Sequence, residues 1–178
     1  MLMDVSVDSI LEIAGVSILV LALMVLLWYI LQVIALWKVF KKAGYEGWKS
    51  IIPLYNEFCL FHISWKNREM PWIWLGLILG GGWFQTYCAQ RNINSGFMYE
   101  AGVYLILAAI VLQIVRNFKE AKAFGKKGGF GLGLSIGPIC TVISNVTGVN
   151  LSWLFWYLTP IFNMVLGLGR SKYLGPQD

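Results

Sequence analysis

The residue types that chemistry requires occur together in one short stretch of the chain, residues 50–65. Asn56, Cys59 and His62 follow one another at every third position, which places them on one broad face of a helix. Glu57 points away from His62. A Cys and His pair can supply a thiolate nucleophile, so one hypothesis is a membrane-embedded hydrolase that uses Cys59 and His62. The pair has no acid on its own face to orient the histidine, and the sequence therefore assigns no catalytic residue.

Metal and cofactor sites have no pattern in this sequence. The single His excludes the usual multi-histidine metal sites. The three cysteines, Cys59, Cys88 and Cys140, are an odd number without CxxC spacing, which indicates neither a disulfide framework nor a zinc site. We therefore expect no metal and no cofactor.

The composition is typical of a membrane protein. Of the 178 residues, 58% are hydrophobic and 13% are charged, whereas roughly 25% are charged in an ordinary soluble domain. The net charge of +5 could indicate nucleic-acid binding. The Lys and Arg residues instead form short clusters between long apolar blocks, as they do at the cytoplasmic flanks of membrane spans. Nucleic acid is therefore not an expected partner.

The apolar blocks predict an all-α fold, a polytopic membrane helix bundle that forms a single integral membrane domain over residues 1–178. A crossing requires about 20 apolar residues, and about five transmembrane helices are expected, at 13–37, 71–88, 99–115, 129–146 and 151–168. Residues 50–65 are apolar but short for a crossing and have basic residues at both ends. We expect them to form an interfacial or re-entrant helix with Glu57 reaching toward water, and we expect Gly175 to Asp178 to form a loose tail.

The basic residues orient this bundle. With the N-terminus outside and the C-terminus in the cytoplasm, Arg91 alone among the 14 Lys and Arg residues lies outside. If residues 50–65 crossed instead, the basic cluster around Lys122 would have to be translocated. The charge distribution therefore favours a cytoplasmic location for the loops that follow the first and third spans.

Those two cytoplasmic loops and the segment 50–65 form the candidate functional surface, which comprises Trp48, Tyr55, Asn56, Glu57, His62, Lys122, Phe124 and Lys126. A basic, aromatic, glycine-rich surface suits anionic lipid headgroups. We therefore expect membrane lipids as partners, with another membrane protein or a second copy of the chain as a further candidate. The leading functional hypothesis is a non-enzymatic binding, accessory or assembly subunit; membrane anchoring alone is equally compatible with the sequence.

Glycine spacing supports an alternative function. Gly129, Gly133 and Gly137 recur at every fourth position and so line one face of the fourth span, where another helix can approach closely. The spans are expected to contain no ionisable residue away from their ends, with Arg116 at an edge. Their interior polar residues are neutral: Gln32, Gln113, Thr141, Ser144, Thr159 and Asn163. A small self-associating channel or transporter lined by these residues is the alternative hypothesis.

Three motifs carry a family resemblance: GWKSIIPLYN (Gly47 to Asn56), AKAFGKKGGFGLGL (Ala121 to Leu134) and LGLGRSKYLG (Leu166 to Gly175). In these motifs the chain resembles a bacterial family of small multi-pass membrane proteins of unknown function, some of whose members carry the label signal peptidase I. The resemblance implies a location in the bacterial cytoplasmic (inner) membrane and no reaction. A peptidase of that type needs a Ser and a Lys on the outer side, and the topology above puts no Lys there.

Overall fold

The computed structural model describes residues 7–149 and 158–178, and these form six α-helices without a strand. They are α1 (Val7–Lys42), α2 (Pro53–Ser64), α3 (Met70–Gln90), α4 (Phe97–Ala123), α5 (Gly128–Thr147) and α6 (Leu158–Leu168), with a 3₁₀ turn at Gly47–Ser50 between α1 and α2. The all-α prediction is thus confirmed for the described residues.

Two helices are long and apolar enough to cross a membrane, Gly15–Lys42 with a mean hydropathy of 2.7 and Phe97–Ala123 with 1.9. The five predicted spans are therefore not all matched. α3 and α5 have 21 and 20 residues, but glycine, tryptophan and polar side chains dilute their hydropathy. α6 has 11 described residues, and the start of the predicted span 151–168 lies outside the described ranges.

From α3 onward, consecutive helices pack on each other: α3 on α4, α4 on α5, and α5 on α6. The last helix, α6, packs on the C-terminal half of the first, α1, and α2 packs mainly on α4. The ends of α1, α4 and α6 meet at one end of the bundle, here called the basic end. There, the Lys42 ammonium donates to the carbonyls of Leu166 and Gly169, at 2.7 and 2.6 Å. These carbonyls end a helix without intrahelical partners, so Lys42 ties α1 to α6.

The hydrophobic core lies near this basic end, and two of the three sequence motifs contribute to it. Its fully buried members include Phe40, Leu60, Phe124, Leu134 and Leu166. The second motif reaches the core through the turn between α4 and α5, and the third through α6. The first motif forms the turn before α2, and the α2 residues that follow it reach the core. The second and third motifs are therefore distant in sequence but pack together.

Between α1 and α2 the chain turns back along α1. A Cβ on Gly47 would overlap the ring of Trp37, and the Tyr29 hydroxyl donates a hydrogen bond to the carbonyl of Ile51. Tyr29 lies more than three helical turns before the end of α1, a distance of about 20 Å. α2 then returns to the basic end, where the Ser64 carbonyl accepts a hydrogen bond from the C-terminal tail at 3.0 Å. The stretch is thus re-entrant with respect to the bundle.

Local hydrogen bonds satisfy the backbone at this turn. The Ser50 hydroxyl donates to the carbonyl of Gly47 at 2.8 Å, and the Asn56 amide donates to the carbonyl of Ser50 at 3.3 Å. Pro53 begins α2 and has no N–H that would need a partner. In an apolar environment, irregular backbone is tolerated only when its N–H and C=O groups have hydrogen-bond partners.

The expectation of a loose C-terminal tail is corrected by the structure. The Gln177 amide donates to the carbonyl of Ser64 at 3.0 Å, and the Lys66 amide donates to the carbonyl of Gln177 at 3.1 Å. Just before this tail, Tyr173 and Leu174 donate to the carbonyls of Ile63 and Ala123 at 2.8 and 2.7 Å. Lys66 pairs with Asp178 at 2.8 Å. The hydrogen bond and charge of Lys66 lower the pKa of the Asp178 carboxyl. The tail is tied down because it and the residues just before it supply partners for carbonyls at the ends of α2 and α4.

Candidate functional site: a polar cavity inside the helix bundle

A cavity of about 150 Å³ lies where the re-entrant stretch meets the other helices. Five helices line it. The lining residues are Trp28, Tyr29 and Gln32 from α1; Pro53, Asn56, Glu57 and Leu60 from α2; Gln113, Arg116, Asn117 and Glu120 from α4; Leu134 and Pro138 from α5; and Thr159 and Asn163 from α6. Pro53 is exposed and Tyr29 half-buried, so the cavity opens between α1 and the first turn of α2.

Three charged groups meet at this cavity. Arg116 forms ion pairs with Glu57 at 3.3 Å and with Glu120 at 3.4 Å, and its guanidinium lies 5.7 Å from the centre of the Phe61 ring. The side chains of Arg116 and Glu120 are 4% and 1% exposed. Both lie on one face of α4 because they are four residues apart, and the re-entrant stretch brings Glu57 to them. The three groups are called the charged triad below.

Several polar atoms at the cavity have no hydrogen-bond partner among the residues that the structure describes. They are Gln32 Oε1, Glu57 Oε2, Arg116 Nε, Glu120 Oε1, Thr159 Oγ1 and Asn163 Oδ1. Buried polar atoms are nearly always paired with protein groups or water. A group of unpaired atoms around one space therefore indicates that the space holds water or a polar ligand.

Other polar residues of the cavity hold the helices in place. The Asn117 amide donates to the carbonyl of Leu134 at 3.0 Å and so links α4 to α5. Pro138 within α5 cannot donate to the preceding turn, which leaves a carbonyl free to find another partner. Asn56 closes the re-entrant turn as described above. The amides of Asn117 and Asn56 thus hydrogen-bond to the backbone, whereas Gln32 and Asn163 have side-chain oxygens without a hydrogen bond from the described residues.

Of the predicted surface in the segment 50–65 and the turn before it, part is exposed and part lines the cavity. Trp48 and Tyr55 are exposed and stack with ring centroids 6.4 Å apart. Asn56 and Glu57 instead line the cavity. The expectation that Glu57 reaches toward water is corrected, because its carboxylate pairs with the buried Arg116. His62 is half-buried, and its Nδ1 lies 2.9 Å from the carbonyl of Phe58.

The geometry gives no support to a hydrolase that uses Cys59. This residue is 4% exposed and belongs to the hydrophobic core. Burial raises the pKa of the Cys59 thiol, whereas a nucleophilic cysteine needs a lowered pKa. The Nδ1 of His62 faces the carbonyl of Phe58 rather than the sulfur of Cys59.

The predicted residues in the second loop also divide by burial. Lys122 is exposed, and Lys126 is half-buried with its ammonium 5.6 Å from the centre of the Phe130 ring. Phe124 is 1% exposed and contacts the ring of Tyr173 at 5.3 Å between centroids. Phe124 therefore anchors the loop in the core, and the two lysines remain accessible.

The predicted glycine face of α5 is used unevenly. A Cβ on Gly133 would overlap the ring of Phe162 in α6, and Gly137 is buried. Gly129 is exposed, with no atom near the position of a Cβ. Gly131, which the spacing did not single out, lies against α4, where a Cβ would come within 3.0 Å of the Phe118 Cα. The close approaches of α5 shown here are to helices of the same chain.

Arg116 and Glu120 are residues of the candidate site that the sequence analysis missed. The predicted span ended at residue 115 because Arg116 was treated as the start of a cytoplasmic loop. α4 continues to Ala123, two turns further, and carries both residues into the bundle. The opposite charges four residues apart on a continuing helix were the signal that could have identified them.

Comparisons with known proteins give no further guidance, since no protein-family model, curated protein or solved structure matches this chain. Within residues 7–149 and 158–178, no group of three or more His, Cys, Asp or Glu residues is placed to hold a metal ion. Any function therefore has to be argued from the cavity and the surface.

Proposed function

We propose that this chain is a multi-pass protein of a bacterial cytoplasmic membrane that binds a small polar solute in the cavity, without catalysing a reaction. The observation that carries the proposal is the charged triad with its surrounding unpaired polar atoms inside a helix bundle. Buried charges are costly and are retained in membrane proteins mainly where they act on a substrate, an ion or a proton. The alternative of a transporter is thereby favoured over an accessory subunit.

The membrane location is supported by exposed apolar surface. The large apolar residues of α1 between Val16 and Leu27 are exposed on all sides of the helix, Ile18 by 67% and Leu19 by 60%. Such a surface is unstable in water and is covered by lipid or protein. We propose that α1, α3, α4, α5 and the segment ending in α6 cross. α3 and α5, at about 31 and 30 Å, have the length of the hydrocarbon layer.

The depth of the charged triad follows from this arrangement. Arg116 lies about two turns before the end of α4, which is about 10 Å along the helix. If the basic end lies at the cytoplasmic interface, the triad is inside the hydrocarbon layer and is reached between α1 and α2. The resemblance to bacterial multi-pass proteins agrees with this location but assigns no ligand.

Cysteine accessibility tests whether the cavity admits solutes. In a variant without the native cysteines, Gln32→Cys places a thiol in the cavity, and Leu36→Cys places one a turn closer to the basic end in a side chain that is 0% exposed. A small hydrophilic thiosulfonate should label position 32 faster than position 36, although position 32 is deeper. Protection of both positions, or faster labelling of position 36, would contradict a solute-accessible cavity.

A second candidate function uses the basic end as a binding surface for anionic lipid headgroups. Exposed basic side chains are found on three of the segments that meet there: Lys38, Lys41, Lys122, Lys127, Arg170 and Lys172. Each basic residue near an anionic leaflet contributes about 1 kcal/mol. An exchange of Lys122 and Lys127 for Gln should weaken co-purification of phosphatidylglycerol, while Lys66→Gln, whose ammonium is paired with Asp178, should have a smaller effect.

A further inference from the structure

We propose that the ligand of the cavity is a small organic cation of the primary alkylammonium type. This inference rests on the proposed function, because it names the chemical class of solute that the same cavity takes. It follows from three features of the cavity: its charge balance, the kind of polar atom left unpaired, and its volume and apolar lining.

The charge balance favours a cation. The charged triad has two carboxylates, Glu57 and Glu120, and one guanidinium. With all three groups ionised, one negative charge has no cationic partner within the triad. An isolated ion in a medium of low polarity is strongly unfavourable unless it is paired. A proton on one carboxylate or a cationic ligand beside both restores the balance, whereas an anion adds to the imbalance.

The unpaired atoms require a hydrogen-bond donor. Oxygens of Gln32, Glu120 and Asn163 accept no hydrogen bond from the described residues. Glu57 Oε2 has the Arg116 ion pair at 3.3 Å but no hydrogen bond. Among the fully buried polar atoms of the described residues, Arg116 Nε is the unpaired nitrogen and the others are oxygens. An ammonium group has three N–H donors and no acceptor, so its hydrogen-bonding capacity matches this set of oxygens.

The volume and the apolar lining favour an organic ammonium over a bare metal ion. About 150 Å³ corresponds to about five water molecules at ~30 Å³ each, which suits a ligand with a few carbon atoms. Leu60, Leu134 and Pro138 provide the apolar lining that a short alkyl chain can contact. Ca²⁺ and Mg²⁺ take six or more oxygen ligands, whereas the cavity offers two carboxylates that already pair with Arg116.

The experiment compares three solutes of matched size on the purified full-length protein in detergent: propylammonium chloride, 1-propanol and sodium propionate. Thermal unfolding is followed at constant ionic strength, since a ligand that binds the folded state raises Tm. We expect propylammonium to raise Tm in a saturable way, and propanol and propionate to leave it unchanged. In Glu120→Gln the half-saturating concentration should rise about tenfold or more, because a charge-assisted hydrogen bond is lost.

Two variants serve as controls. Glu100→Gln removes an exposed carboxylate at the other end of the same helix and should leave the response to propylammonium unchanged. If Glu120→Gln does not fold, Gln32→Glu replaces it: an added carboxylate should lower the half-saturating concentration. An unchanged concentration in Gln32→Glu, or equal effects in Glu120→Gln and Glu100→Gln, would overturn the assignment.

The outcomes separate this inference from the proposed function. A saturable rise in Tm with propanol or propionate, but not with propylammonium, would overturn the cationic ligand and leave a solute-binding cavity in place. A response to none of the three solutes, together with a protected thiol at position 32, would overturn both. Labelling at position 32 without any response to propylammonium would overturn the ammonium ligand alone.

Discussion

Arg116 lies at the centre of the charged triad in the interior of the bundle. Its guanidinium is almost fully buried and holds two carboxylates that come from different helices, Glu57 on α2 and Glu120 on α4. Burying three charges is unfavourable by itself, and their mutual attraction offsets this only while all partners are present. A hydrophobic cluster in the same place would stabilise the fold at least as well, so the triad is better explained by a role in binding.

The first prediction follows from this dependence. Arg116→Ala leaves two buried carboxylates without a cation and should lower the free energy of unfolding by about 3–5 kcal/mol. Arg91→Ala removes an exposed guanidinium beside the Tyr87 ring and should change it by about 0.5 kcal/mol or less. Unfolding in mixed detergent micelles measures the free energy of unfolding of each variant. Equal losses in the two variants would show that the triad carries no special stability.

A second prediction at this scale concerns the hydroxyl of Tyr173. Tyr173→Phe removes its hydrogen bond to the Ile63 carbonyl and should cost about 1 kcal/mol, whereas Tyr104→Phe alters a side chain that is 67% exposed and should cost almost nothing. Burial raises the pKa of Tyr173 to about 12. The folded state therefore prefers the protonated hydroxyl. Its contribution is fully present below the ordinary tyrosine pKa of about 10 and is lost as the pH rises through about 12.

The pH dependence gives this prediction its check. Between pH 10 and about 12, the difference in stability between wild type and Tyr173→Phe should shrink. A difference that stays constant over this range would mean that the hydroxyl does not donate to the Ile63 carbonyl in the folded state.

Among the elements, α3 and α4 approach each other closely at two glycines, one on each helix. A Cβ on Gly81 would lie 2.7 Å from the Cγ1 of Ile106 and 3.0 Å from the carbonyl oxygen of Gly102. A Cβ on Gly102 would in turn lie 3.3 Å from the carbonyl oxygen of Gly81. Backbone atoms cannot move aside as a flexible side chain can, so both positions require glycine for this packing.

The third prediction uses two adjacent glycines of α3. Gly81→Ala should destabilise the protein by about 1–3 kcal/mol, because the added methyl group overpacks the contact with α4. Gly82→Ala meets no atom within 4 Å and should be neutral or stabilising by up to about 1 kcal/mol, because alanine favours the helix. Thermal unfolding of the two variants decides the question. Equal stabilities would contradict a close approach at Gly81.

The elements could be predicted from the sequence where apolar residues run without interruption, as in α1 and α4. Glycine, tryptophan and proline lower the hydropathy of α3 and α5, so apolarity alone assigns these helices less clearly than their length does.

The basic residues at both ends of 50–65 indicate that this stretch is either interfacial or re-entrant. How far it enters the bundle was not predictable, since this depends on contacts with Tyr29 and Arg116, which lie far away in sequence. The ordered tail was missed for the same reason: its partners and those of the residues just before it are carbonyls of α2 and α4, and free carbonyls at helix ends leave no sequence pattern.

At the scale of the whole molecule, the two ends of the bundle differ in chemistry. At the basic end, Lys42, Lys66 and Lys119 are held by carbonyls or by Asp178, and further lysines remain exposed. The opposite end is formed by the turn between α3 and α4 and by the end of α5, and Arg91 is the basic residue there. A bilayer that keeps basic segments in the cytoplasm would orient such a bundle in one way.

The last prediction tests this orientation and with it the path to the cavity. In a variant without native cysteines, Lys127→Cys at the basic end should react with a membrane-impermeant thiol reagent only in inside-out vesicles. Asn94→Cys in the turn between α3 and α4 should react only in intact cells with a permeabilised outer envelope. Both positions are exposed, so burial cannot hide either thiol. Labelling of both from the same side would contradict a bundle whose ends lie on opposite sides of a membrane, and labelling in the reverse sense would place the basic end at the outer face.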